Sequence, residues 1–543
     1  MLLRIQSPSR AQTDMGFWDR SLRIFKCLCG HGKQSIRQLA QQTGFSKSSV
    51  HRLQQAIAGR NCHPESWFWE TEEGRRWLTR LVVATLYTFG FKRGVGVDTI
   101  SEFFARLRLH THVGCSPTAL RGVMQTLEAE LLAIAHAWEH DGTAHGEVQE
   151  IIGAVDETFL EQLMLVFLDV PTRYIVLETP AEDRSYATWK ALVDERLKAL
   201  GTSVLYLVSD RAKALIQLAE QGLECVSIPD CFHLVHEIVK RYSLAIARPL
   251  SHARQELKRA EEHHARRQDW AGGTPVAEEA EAQVEARQTE VQRWEAVQNA
   301  YRHHLETLSL TFHPFGIADS APQTSAQVAS RVHAEVDALE ALAVSQQLPS
   351  PHDVLKKVRK QVPALAALVD FWWEGVRLDL EHAAISPMGR RWAEESLLPL
   401  VYWEYHVAHT RCARRKAKMR QALAAAQGTF GHHAITQGLP PQALMEWHAW
   451  ALHRVSVFQR ASSAVEGRNG FLAQLHHNQR GLPKQRYKVW TVLHNFDCRA
   501  ADGTTPASRF FRWTFPDLFE TVLSHIEVLP RPRQRKHEVA LCH

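Results

Sequence analysis

Hydrophobic and polar positions change rhythm twice along this chain. Between residues 35 and 53 apolar residues recur at helical spacing, with Ile36, Leu39 and Ala40 on one face and Val50 and Leu53 on another. Gly44 predicts a tight turn between two helices, and Ser46 predicts the cap of the second. The small Ala40 lets the two helices cross closely, so the segment reads as a helix-turn-helix. A weaker pair follows over 98–107 and from Ser116-Pro117 through Leu132, where a cap followed by proline marks a helix start.

From 151 to 245 the period shortens. Apolar, β-branched runs at 151–156, 162–169, 173–178, 203–208 and 224–228 predict strands, with a hairpin at Val170-Pro171-Thr172. Helical spacing at 185–200, 212–220 and from Asp230 onward gives the order β-β-β-α-β-α-β-α. That order implies a mixed sheet: an antiparallel meander, then parallel strands added through helical crossovers.

Beyond 245 the helical period returns and stays. Residues 246–310 read as two antiparallel helices broken at Ala271-Gly272-Gly273-Thr274-Pro275. Val284, Val291, Trp294, Tyr301, Leu305 and Leu308 approximate a seven-residue repeat, facing either the partner helix or a second protomer. Further helices are expected over 325–345, 351–383 and 388–427. Trp372, Trp373, Trp392 and Trp403 are expected in a core.

With 543 residues, the chain has room for two to four domains, and 45% hydrophobic with 23% charged residues is ordinary for a folded protein. The apolar stretch 81–91 is too short to span a bilayer, and no secretory leader is read. Nine scattered cysteines favour a reducing compartment. Cys27, Cys29, His31, Cys62 and His63 lack a common zinc-finger spacing, and the cysteines read as buried structural residues. Charge is uneven: residues 1–60 carry +8, leaving −3 on the rest of a +5 chain. A basic end carrying a helix-turn-helix points to DNA phosphates. Lys47, Ser48, Ser49, His51 and Arg52 lie on the outward side of the second helix, suited to phosphates and base edges in a major groove.

Acidic residues supply the candidate chemistry. Asp156 and Asp210 close two of the predicted strands, where open sheets commonly build sites. Asp230 and His233 follow the fifth strand and are three apart on one helix face. They either support a metal shell or phosphate, or merely cap and pack. Glu466 lies far downstream in Ser462-Ser463-Ala464-Val465-Glu466-Gly467-Arg468-Asn469. Asn469 shares its face and could orient a ligand water or a phosphate. Arg460, Arg468 and Arg480 are either backbone contacts for DNA or solvated cations. Arg411, Arg414, Arg415, Lys416, Lys418 and Arg420 form a basic helix with the same two readings.

Strand order, the Asp230-x-x-His233 pair and the Glu466–Asn469 segment together resemble the DDE transposases and retroviral-type integrases. The Asp-x-x-His motif is similar to that of Mutator-like and hAT-like transposases. The resemblance covers 151–245 and 460–483. It departs from one bacterial transposase group, whose signature needs a lysine where Leu472 stands. It implies an α+β/α/β fold: a ribonuclease H-like mixed five-stranded sheet with helices, with an all-α helix-turn-helix module before it and a large all-α insertion. The implied boundaries are 1–145 for the DNA-binding region, 146–248 and 451–500 for the two parts of the catalytic core, 249–450 for the insertion, and 501–543 for a basic tail. Asp156, Asp210 and Glu466 would hold two Mg²⁺ or Mn²⁺ ions, and Asp230 and His233 would support them. The implied activity is phosphodiester hydrolysis at transposon ends and strand transfer into target DNA, by a homo-oligomer on double-stranded DNA, in the cytoplasm at the nucleoid. The competing expectations are a transposase-derived DNA-binding regulator with a dead site, and a structure-specific nuclease of the same fold.

Overall fold

A computed structural model describes residues 17–31, 34–147, 150–271, 275–348, 352–479, 486–526 and 528–532. The chain divides into two compact units, Met1–Val148 with Gly470–His543, and Gln149–Asn469.

The first unit opens with helices α1 (Phe17–His31), α2 (Ile36–Thr43) and α3 (Lys47–Arg60). Ser35 caps α2 in a reciprocal box: its hydroxyl accepts the Gln38 N–H, and the Gln38 side chain accepts the Ser35 N–H. Gly44 ends α2 at φ 74°, a left-handed conformation that glycine adopts without a Cβ penalty. Ser46 caps α3 by accepting the Ser49 N–H. Ile24, Phe25, Leu39, Phe45, Val50, Leu53 and Ile57 pack between the three helices. Arg60 ends α3 in a buried bidentate pair with Glu70, at 2.6 and 2.9 Å. The long helix Pro117–His145 reaches well past Leu132, and the C-terminal helices Arg486–Asp497, Pro506–Phe510 and Leu518–Ser524 complete this unit.

Two boundaries are corrected here. Residues 470–500 group with the first unit and not with the sheet. Residues 501–526 are no tail: Phe510, Phe511, Leu518 and Val522 are buried, and the Phe515 ring stacks on Trp138. The basic run after Pro532 lies outside the described residues.

The second unit is built on one sheet: β1 (Ile151–Leu160), β2 (Gln162–Asp169), β3 (Ile175–Ala181), β4 (Val204–Ser209) and β5 (Val226–Pro229), in the spatial order β3-β2-β1-β4-β5. Strands β1–β3 form the antiparallel meander, while β4 and β5 add in parallel. Helix α4 (Tyr186–Leu200), capped by Ser185, makes the first crossover. The mixed five-stranded sheet and its element order are therefore as the periodicity implies. Strand β1 is longer than expected. Its last parallel partner is Ala154↔Val208, yet it runs on to Leu160 against β2 alone. Asp156 therefore lies within β1, just beyond the end of its parallel pairing, and does not close the strand. Gly153 lies three residues before it, where a Cβ would meet the Phe167 ring at 2.5 Å and Leu207 at 2.7 Å.

Helix α5 (Cys231–Ala271) leaves β5 and pairs with α6 (Pro275–Thr311). Val291 of α6 packs on Leu250 and Ala253 of α5, with Trp294 beside them, so that stretch of the seven-residue seam is filled within the chain. Helices Ser325–Ser345 and α7 (His352–His382) follow. Trp372, Trp373, Trp392 and Trp403 are all core residues. The single helix expected over 388–427 is instead interrupted: Leu398–His409 ends at an extended Thr410, and α8 (Ala413–His432) starts afresh after an extended Cys412. Helix α9 (Ser463–Gln479) carries Glu466 in its first turn.

Candidate active site

Three segments of the second unit converge on one cluster. Strand β1 supplies Asp156, the start of α5 supplies His233, the residue between β5 and α5 is Asp230, and α9 supplies Glu466 and Asn469. Asp156, His233 and Glu466 each place one potential ligand atom within 4.8 Å of the other two. His233 is held from both sides. Its Nδ1 lies 2.8 Å from Asp230 Oδ2, and its Nε2 lies 3.3 Å from Glu466 Oε1. Asp230 is fully buried and also accepts the Phe232 N–H at 2.8 Å and the Ser462 hydroxyl. Asn469 Nδ2 donates to Asp156 Oδ2 at 2.8 Å, while its Oδ1 is buried without a hydrogen-bond partner.

The loop before α9 is tied to the sheet. The buried Tyr206 hydroxyl on β4 donates to the Val457 carbonyl at 2.6 Å and accepts the Gln459 N–H at 2.8 Å. The Cys231 N–H donates to the Arg460 carbonyl at 3.0 Å. These bonds fix the entry to α9, and hence Glu466, over the ends of β4 and β5.

Burial and the nearby Glu466 charge push the Asp156 carboxyl up to about 7. The Asp230 hydrogen bond leads the causes that push His233 up to about 9, with the charges of Asp230, Glu466 and Asp156 adding to it. At neutral pH His233 is therefore a cation donating from both ring nitrogens, set among carboxylates that repel one another.

Asp210 stands apart from this trio. It follows β4 in an exposed position, and its Oδ1 accepts the Ala212 N–H at 2.8 Å. Its charge acts on Glu157, whose carboxyl is pushed up first by burial and then by Asp210. Asp210 does line a cavity of about 210 Å³ together with Asp230 and His233. Neither Glu157, which couples to Asp210, nor Ser462, whose hydroxyl meets Asp230, is marked by the strand pattern.

Two expected DNA contacts are corrected. Arg468 is buried and forms a bidentate pair with the buried Glu178, at 2.6 and 2.7 Å, so it braces α9 against β3. Arg460 spends its guanidinium inside the protein, on the Ser309 carbonyl at 2.7 Å and on His313 Nε2 at 3.0 Å. Arg480 lies outside the described residues. The expected burial of the cysteines near the N-terminus also fails: Cys29 and Cys62 are exposed and Cys27 is half-buried. Among the described residues no metal-ligand cluster forms there.

On α3, Lys47, Ser48, His51 and Arg52 are exposed in a row. Ser49 is half-buried, and its hydroxyl accepts from the cap residue Ser46 at 2.9 Å, so it is less available than its neighbours. Residues 19–58 match the IclR helix-turn-helix domain. The N-terminal module is accordingly a DNA-binding helix-turn-helix. Residues 393–538 match a family of unknown function, DUF6399, a span that includes Glu466 and Asn469. No curated protein is significantly similar to the chain. No helix among the described residues is long and apolar enough to cross a membrane.

Proposed function

We propose that this chain is a DDE transposase with a ribonuclease H-like core, cutting DNA at the ends of a mobile element and joining those ends to target DNA as a homo-oligomer. The observation that carries the reading is the convergence of Asp156 and Glu466, 310 positions apart in the sequence, on one cluster beside a β3-β2-β1-β4-β5 sheet. The helix-turn-helix supplies the means of holding DNA.

The donor set fits hard divalent cations. Asp156 and Glu466 offer only carboxylate oxygens, the ligands Mg²⁺ and Mn²⁺ prefer. Burial, and after it the Glu466 charge, raises Asp156 to about 7, and Asn469 Oδ1 is a buried acceptor with nothing to accept. Asp156, Asp210 and Glu466 would hold two Mg²⁺ or Mn²⁺ ions. When bound, such ions activate water and stabilise the charge that gathers on a phosphodiester under attack. Asn469 keeps the Asp156 carboxylate turned toward the cluster. Asp230 holds the His233 ring through Nδ1, leaving Nε2–H to meet Glu466 or a phosphate oxygen. His233 balances the carboxylates and can return a proton to a leaving 3′-oxygen.

The test uses the full chain and DNA carrying both flanks of its own coding segment. Wild type is expected to cut that DNA only with Mg²⁺ or Mn²⁺. Asp156→Asn, Asp210→Asn and Glu466→Gln should each lower the cleavage rate about a thousandfold, the equivalent of about 4 kcal/mol in the barrier, with DNA binding retained. Full cleavage by Glu466→Gln would remove it as the third acid.

A further inference from the structure

The cavity beside the acids has a second wall. Asp210 and His233 line one side, and helix α7 of the insertion lines the other with Lys357, Val358 and Gln361. The cavity measures about 210 Å³, below the usual size of a site that swallows a whole drug-sized ligand. Leu355, Val358 and Val362 are buried and fix the helix in place. Lys357 and Gln361 are one turn apart and share the face toward the acids.

Lys357 belongs to a basic run, Lys356-Lys357-Val358-Arg359-Lys360. Arg359 is already spent on Asp337 and Glu340, at 2.6 and 2.5 Å. Lys356, Lys357 and Lys360 are exposed, and no hydrogen bond or ion pair with another described residue engages them. Lys357 is exposed and lines this open cavity together with Asp210, Asp230, His233 and Glu237, yet no ion pair joins it to any of them. An anion that enters between them accounts for this arrangement. The acids themselves would repel such an anion unless it brought or met a cation, which is the situation of a phosphate at a divalent metal site.

We propose that this cavity takes a backbone phosphate of the DNA strand being cut, with Lys357 as its contact from the insertion and Gln361 as a neutral hydrogen-bond donor beside it. The inference rests on the transposase reading and gives the insertion a role in that site. Lys360, three residues on, is placed to follow the same strand outward. Lys357 then sets the position of the scissile bond relative to Asp210 and His233, without taking part in proton transfer.

The experiment measures the affinity of the full chain for a labelled DNA duplex over a range of salt, with Ca²⁺ filling the carboxylate sites. One lost phosphate contact lowers the slope of log affinity against log salt by about 0.9. Lys357→Ala should show that drop and Lys357→Arg should restore the slope, both with unchanged thermal stability. An unchanged slope in Lys357→Ala, with wild-type DNA binding intact, overturns the contact while leaving the transposase reading standing. A wild-type chain that binds DNA but cuts none with Mg²⁺ or Mn²⁺ overturns the transposase reading, and this inference with it.

Discussion

The helix-turn-helix and the acidic cluster are built in opposite ways. The first is contiguous: its caps, its glycine turn and its outward cations all fall between Ser35 and Arg60. Its outward cations Lys47 and Arg52 are exposed on α3, where they can meet phosphate. The second is assembled from three separated segments, and its charges are buried or half-buried and locked to one another. Its nearest arginines, Arg460 and Arg468, face inward and hold the scaffold. A basic residue near an acid motif is thus no guide to DNA contact. At a buried site, cations are needed first to keep the acid-bearing helix in place.

The largest expected effect sharpens this contrast. Arg468→Ala removes the buried ion pair with Glu178 and should cost about 3–5 kcal/mol of stability. Chemical denaturation measures it, and the salt dependence of DNA binding should not move. A drop in salt slope with normal stability would return Arg468 to the DNA-binding set. Next comes Asn469→Ala, which removes the donor that orients Asp156. Divalent-cation affinity should fall about 10–100-fold, as for other residues that hold a ligand in place. Titration calorimetry with Mn²⁺ reads it.

A third effect is set by pH. The Asp156 carboxyl sits at about 7 in the cation-free fold, against an ordinary 3.8. The folded chain therefore keeps a proton that the unfolded chain has released, and its stability falls as pH rises from about 4 through 7. A cation must displace that proton. Affinity for Mn²⁺ should fall roughly tenfold per pH unit below 7 and level off above it. His233, at about 9, stays protonated over that window and adds no slope there. A flat profile from pH 5 to 7 would show that Asp156 is not a ligand. The smallest effect belongs to α3. Lys47→Ala and Arg52→Ala should each leave stability within about 0.5 kcal/mol and lower the salt slope by about 0.9.

Legibility in the sequence follows the same division. The helix-turn-helix could be read because each signal acts over one or two turns of chain. The sheet order could be read because β-rich and helical periods alternate cleanly between 151 and 230. The overrun of β1 past its parallel partner could not, since strand ends depend on which neighbour still pairs. In the sequence Asp210 reads as an equal of Asp156 because both end apolar runs. In the fold Asp210 is exposed and couples to Glu157, a difference of tertiary surroundings that no local pattern carries. The break at Thr410 and the folding of 501–526 were also hidden, the second because short helices joined by Gly, Pro and Thr look like a tail until the Pro117–His145 helix offers them a surface.

The claim on which the rest depends is that carboxylates from β1 and α9 form one divalent-cation site. Mn²⁺ binding to the purified full chain, followed by the loss of the free-ion electron paramagnetic signal at pH 8, measures it without any need for the right DNA. Wild type should bind Mn²⁺ and give it up to excess Mg²⁺, and Asp156→Asn and Glu466→Gln should each abolish binding at the same concentrations. Unchanged Mn²⁺ binding in both variants would contradict it.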